Sequence, residues 1–142
     1  MICRRGFTWW ELLILVLITG ILTGITIPKF QDLIVRSKEA NTKAGLASLR
    51  SAIQVYFAEH NAYPEDDLEC LVKDGKYIPE IPITQIPGTN HNDSNKVLLQ
   101  SEITDEGGWI YYNDKKKPRT WGNVIVNCSH SDSNDSVVWS EL

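Results

Sequence analysis

No stretch of this 142-residue chain carries a Gly-rich phosphate loop or a nucleophile elbow, and no group of cysteines and histidines has the spacing of a zinc site. Histidine is scarce. His60, His91 and His130 are widely separated in polar surroundings and read as surface residues. Ser129-His130-Ser131-Asp132 holds the residue types of a hydrolytic triad, but adjacent positions do not converge as a triad does. The sequence therefore points away from an enzyme. Solenoid-type repeats are absent as well. Basic charge is short, with 14 Lys and Arg against 18 Asp and Glu and a formal net charge of −4. That balance argues against general nucleic-acid binding, which needs a basic surface. The one basic cluster, Lys115-Lys116-Lys117-Pro118-Arg119, follows Asn113-Asp114 and reads as a solvated hairpin loop rather than a DNA or lipid contact.

What the chain does have is a long apolar run near its start. Residues 7–27 are apolar except for Thr8, Glu11, Thr19, Thr23 and Thr26. At helical rise they span roughly 30 Å, enough to cross a bilayer. The apolar surface goes all the way round, which disfavours a core helix of a soluble protein. Arg4 and Arg5 precede the run, so the positive-inside tendency keeps the N-terminus cytoplasmic and exports the chain from about Lys29 onward. A secretory signal places its small-residue cleavage site after the apolar run. Here the fitting cut, between Gly6 and Phe7, precedes it, and the helix is retained. Glu11 is the second oddity. A carboxylate in hydrocarbon is costly and needs a partner, for which a free Phe7 amine one turn away has the right charge. Reaching back to the headgroups is the alternative.

Cleavage after Gly6 would remove two basic residues and no acidic ones, leaving a formal charge near −6. It would also remove Cys3, leaving Cys70 and Cys128 as a pair for a disulfide in an oxidising compartment. Such a bond would close a loop of nearly sixty residues and stabilise by on the order of 4 kcal/mol. Two unpaired thiols are the alternative.

Apolar residues at three- and four-residue spacing continue past Pro28, through Phe30, Leu33 and Ile34, and resume at Leu46, Leu49, Ile53, Tyr56 and Phe57. One helix is expected from about Phe7 to His60, with a kink or local break at Pro28 and weaker turns around Gly20 and Gly24. Residues 66–72 suggest a short second helix with an acidic first turn. Pro79, Pro82 and Pro87 impose extended chain after it, and residues 96–100 read as a short strand or turn. Trp109-Ile110-Tyr111-Tyr112, Val124-Ile125-Val126-Asn127 and Ser136-Val137-Val138-Trp139 are each bounded by turn residues. The expectation is an α+β fold, with the long helix packed on a three-stranded antiparallel meander.

Arg4-Arg5-Gly6-Phe7-Thr8, two further apolar residues and Glu11 closely resemble the signature of type IV prepilins, with Trp9-Trp10 where that superfamily more often has aliphatic residues. Pro28–Leu33, Thr42–Leu46, Leu49–Ile53 and Tyr63-Pro64 are similar to the pilin and pseudopilin helix. Lys76–Pro82 and Gly107–Tyr111 resemble segments of the major pseudopilin of type II secretion. The resemblance implies a type IV pilin-like fold with a leader at 1–6, a transmembrane and assembly helix at 7–28, its periplasmic continuation at 29–62 and a globular part at 63–142.

It further implies a single-pass inner-membrane protein with its C-terminal part in the periplasm or on the cell surface. Prepilin peptidase would cut after Gly6 and methylate Phe7. Glu11 would pair with that amine on a neighbouring copy, and Gly20 through Pro28 would be able to lose helicity in the fibre. Implied partners are further copies, minor pilins or pseudopilins, an assembly platform and lipid, with no nucleic acid. The favoured function is a pseudopilin driving protein secretion. The alternatives are a type IV pilin for adhesion, motility or DNA uptake, and a monomeric membrane-tethered binding module. No cofactor is expected. The family's major pseudopilin binds calcium, and Asp132, Asn134 and Asp135, or Asn92 and Asp93, offer oxygens, but they do not match that site and are assigned no metal.

Overall fold

The computed structural model describes residues 7–142. One compact unit runs to Val35 and a second from Arg36 to Leu142. Helix α1 (Trp9–His60) begins two residues later than expected and is unbroken through Pro28, so no local break occurs there. Three threonines interrupt its apolar sequence without exposing unpaired hydroxyls. Thr19, Thr23 and Thr26 donate to the carbonyls of Leu15, Thr19 and Leu22 at 2.9, 2.7 and 2.8 Å. Bonded back in this way, each hydroxyl is compatible with a hydrocarbon surrounding.

Within the second unit, Thr42, Leu46, Leu49 and Ile53 recur along one face of α1 and are buried. They meet a sheet of three very short strands, β1 (Val97–Leu98), β2 (Trp109–Tyr111) and β3 (Val124–Val126). Trp109, Tyr111, Val124 and Val126 join the helix residues in the core, while the paired Ile110 and Ile125 point to the opposite face and are buried as well. Gly45 lets the segment around Pro82 lie against the helix. A Cβ at residue 45 would come within 2.8 Å of the Pro82 Cβ, and Trp109 Nε1 donates to the Pro82 carbonyl at 2.7 Å. Thr42 fastens the same segment, its hydroxyl accepting from Gln85 N at 2.7 Å and donating to Gln85 O at 2.8 Å.

The sheet corrects the expected meander in two ways. β2 and β3 are antiparallel, but β1 lies parallel to β2 on its other side. Gly107 and Gly108, with φ of 78° and 80°, turn the chain so that Trp109 N reaches Lys96 O at 2.8 Å. A Cβ at residue 108 would lie 2.7 Å from that same oxygen. Residues 136–139 are not the third strand. The Asp132 carboxylate captures the N–H and hydroxyl of Ser136, so the chain doubles back on itself instead of running beside β3. Val138 makes a single bridge to Ser131, and Trp139 enters a 3₁₀ turn (Trp139–Glu141) that buries its ring. The second helix, α2 (Glu69–Val72), is shorter than expected. Asp66 precedes it and accepts from Leu68 N and Cys70 N, both at 3.1 Å.

Candidate functional site

The N-terminal end of α1 is organised by a reciprocal cap. Thr8 N and Thr8 Oγ1 each donate to Glu11 Oε2 at 2.8 Å, while Glu11 N approaches Thr8 Oγ1 at 3.4 Å. This is the capping box of a helix start, in which the side chains three residues apart satisfy each other's backbone donors. Thr8-x-x-Glu11 is the sequence signal of this cap, which the expected pairing of Glu11 with the Phe7 amine does not include. Glu11 thus has a partner within its own chain. Gly6 and the rest of the expected leader lie outside the described residues.

Around and beyond this cap, every large apolar side chain from Phe7 to Ile34 is between 43% and 74% exposed. Gly20 and Gly24 open onto empty space, with no atom beyond the helix's own backbone and the adjacent residues within 4 Å of where a Cβ would stand. The segment is long and apolar enough to cross a membrane.

In the second unit, the expected disulfide is not formed, and Cys70 and Cys128 are both free thiols. Their surroundings differ. Burial, with Asp66 close by, pushes the Cys70 thiol up to about 12, so it stays protonated. Cys128 is fully buried, and its Sγ lies 3.3 Å from His130 Nδ1. Of the candidate calcium oxygens, Asp132 is bound by Ser136 and by Lys43 Nζ at 3.2 Å, which hold its carboxyl well below the usual range. Asp135 accepts from Ser131, and Asp93 accepts from Gln85. The nearby Ser133 N donates to the buried Glu39 at 2.7 Å, so the 131–136 loop is pinned to α1 twice. Of the hydrolytic residue types at 129–132, Ser131 and Asp132 are taken up by these partners, whereas Ser129 and His130 both lie beside Asp105. The basic cluster forms turns in the β2–β3 connection, with Lys115 paired to Glu65.

The histidines are not three isolated surface residues. His60 stacks on Tyr56 at the end of α1, as an exposed residue can. His91 and His130, by contrast, meet with His91 Nε2 3.2 Å from His130 Nδ1. Asp105 Oδ1 lies 3.7 Å from His130 Nδ1 and 4.0 Å from His91 Nε2. With the Cys128 sulfur, all four ligand atoms fall within 4.8 Å of one another. No spacing rule brings 91, 105, 128 and 130 together in sequence. The fold does so, because β3 delivers Cys128 and His130 beside the β1–β2 connection. The fully buried Asn127 orders that connection, accepting from Thr104 N at 2.8 Å and donating to Gly107 O at 3.2 Å.

No family model and no solved structure matches the chain. It is 29% identical over 85 residues to the type IV major pilin protein PilE of Neisseria gonorrhoeae, covering 56% of this chain and 51% of that one. Over 62 residues it is 43% identical to the type IV major pilin protein PilA of Myxococcus xanthus, covering 44% and 28%. Over 63 residues it is 38% identical to the type IV narrow pilus major component PilA5 of Thermus thermophilus, covering 44% and 54%. The chain spans about half the length of the first of these relatives. Its long apolar N-terminal helix and small three-stranded sheet give it a type IV pilin-like fold, and its similarity is to type IV major pilins.

Proposed function

We propose that this chain is a structural subunit of a type IV pilin-like fibre, kept as a single-pass membrane protein until it polymerises with copies of itself. The observation that carries this reading is the exposed apolar surface from Phe7 to Ile34. A surface that is apolar all round cannot rest in water, so a bilayer and then neighbouring helices must cover it. Arg4 and Arg5 orient the N-terminus to the cytoplasm, and cleavage after Gly6 by prepilin peptidase frees and methylates the Phe7 amine. On assembly Glu11 accepts the Phe7 amine of a neighbouring copy, and Gly20 through Pro28 supplies the segment that can loosen. Minor subunits and an inner-membrane assembly platform are the remaining partners.

The names of the relatives favour a subunit of a type IV pilus. A pseudopilin of type II secretion is the second reading, supported by the likeness of Lys76–Pro82 and Gly107–Tyr111 to the major pseudopilin. Deleting the gene separates the two, since loss of surface fibres or twitching marks the first and loss of protein secretion the second. Mass spectrometry of the native envelope protein tests the shared mechanism, with a mature chain beginning at N-methylated Phe7 expected. A Glu11→Leu variant should remain in the membrane with its globular part folded and fail to enter fibres. Normal fibre entry by that variant would overturn the Glu11 pairing, whereas a harmless Glu11→Leu with no crosslinks between copies, or a chain still beginning at Met1, would favour a tethered monomer.

A further inference from the structure

We propose that His91, Asp105, Cys128 and His130 form a structural zinc site, a function independent of the fibre reading. The geometry of the four ligand atoms carries this. A tetrahedral zinc with Zn–N of about 2.0–2.1 Å and Zn–S of about 2.3 Å sets its nitrogen, oxygen and sulfur ligands roughly 3.3–3.6 Å apart. Here the two imidazole nitrogens are 3.2 Å apart, the sulfur and His130 Nδ1 are 3.3 Å apart, and the carboxylate oxygen is 3.7 and 4.0 Å from the two nitrogens. These four edges lie near those of a tetrahedral site, and the two remaining ones, from the sulfur to His91 and to Asp105, are within 4.8 Å.

Hydrogen bonding alone accounts for the cluster poorly. His130 Nδ1 has one in-plane position, holding either a proton or a lone pair, yet His91 Nε2, Cys128 Sγ and Asp105 Oδ1 all converge on it. At most one of those approaches is a good hydrogen bond. A cation at the centre serves all four groups at once.

The surroundings fit a structural metal. Asp105 is held in place by Ser129, its Oδ1 accepting from Ser129 N at 2.6 Å and its Oδ2 from Ser129 Oγ at 2.7 Å. Orienting bonds of this kind are what outer-shell groups supply around a metal. Cys128 is fully buried and the His91 side chain is 10% exposed, whereas the His130 side chain is 53% exposed and gives the ion a way in. One thiolate, two imidazoles and a carboxylate suit zinc among the divalent ions, and four protein ligands leave no open position for catalysis. The ion would join three segments that the short strands hold only weakly, namely the loop at 91, the connection at 105 and the chain leaving β3.

The test uses the full chain in detergent micelles, first stripped with a chelator and then titrated with Zn(II), with Co(II) as the spectroscopic probe. One ion per chain is expected, with a thiolate-to-cobalt charge-transfer band, a tetrahedral visible spectrum and a rise in melting temperature that the chelator reverses. Cys128→Ser should abolish the charge-transfer band. His130→Gln, at a side chain that is 53% exposed, should weaken zinc binding by more than the roughly 10–100-fold that loss of an outer-shell partner costs. His60→Gln should leave binding unchanged. Absence of binding to the folded wild-type chain overturns the proposal and leaves a hydrogen-bonded cluster. Binding that keeps its charge-transfer band in Cys128→Ser, or its affinity in His130→Gln, overturns it equally.

Discussion

Replacing Thr42 by valine removes one hydroxyl from the centre of the second unit and changes almost nothing in shape. That hydroxyl is fully buried and holds both backbone polar groups of Gln85, accepting from its N–H at 2.7 Å and donating to its carbonyl at 2.8 Å. In Thr42→Val a methyl group faces both, and each group left without a partner costs about 1–3 kcal/mol. Gln85 is itself half-buried, so water recovers part of this, and the net loss is about 2–4 kcal/mol. Thr42→Ser keeps the hydroxyl and gives up one buried methyl, a loss of about 1 kcal/mol. For a unit of about a hundred residues, valine should lower the melting temperature by roughly 10–20 °C and serine by about 5 °C. The assay is the near-ultraviolet dichroism of the full chain in detergent, read through the buried Trp109 and Trp139. The long helix would dominate a far-ultraviolet signal. A valine variant melting at or above the serine variant would show that the hydroxyl does not hold the 82–86 segment on α1.

Two further outcomes follow from the same packing. Gly45→Ala gains about 1 kcal/mol of helix propensity, but its Cβ meets Pro82 at 2.8 Å, and overpacking costs about 1–3 kcal/mol. Because Trp109 Nε1 ties the Pro82 carbonyl down, the ring has little room to yield, and the variant should melt lower by the same dichroism assay. Acid should unfold the second unit along a limb set by Asp132 and Asp105. Ser136 and Lys43 hold the Asp132 carboxyl low, and the N–H and hydroxyl of Ser129 hold Asp105 low. Groups with depressed folded values contribute stability that is fully present above their unfolded pKa of about 3.9 and lost as pH falls through the folded values. The melting temperature should therefore change little between pH 7 and about 4 from these two groups and decline below, with Asp132→Asn showing a shallower decline.

The long helix was legible because its apolar pattern persists for many turns, and β2 and β3 were legible because Gly, Asn and Asp bound their apolar runs. The stretch at 96–100 could be read only as strand or turn, since its role depends on where Gly107 and Gly108 send the chain. Ser136-Val137-Val138-Trp139 misled by propensity. Its residues favour strands, yet a single side chain four positions earlier, Asp132, binds Ser136 and folds the segment back. The helix cap lay in plain sight as Thr8-x-x-Glu11. The cluster of His91, Asp105, Cys128 and His130 could not be read, because its members come from three separate segments whose meeting depends on strand pairing and on the buried Asn127.

The cap at the start of α1 bears on the first step of the proposed assembly. Within one copy the Glu11 carboxylate already accepts from the N–H and the hydroxyl of Thr8, neutral donors that leave its charge without a counter-charge. In the proposed assembly an incoming Phe7 amine would compete with Thr8 and would add the positive charge that Thr8 lacks. Because those donors already offset part of the carboxylate's desolvation, such an exchange would release less free energy than the rescue of a carboxylate with no donors at all. Under the proposed assembly, Thr8 would lower the cost of holding Glu11 in the membrane and, by the same amount, the free energy released when a copy enters the fibre.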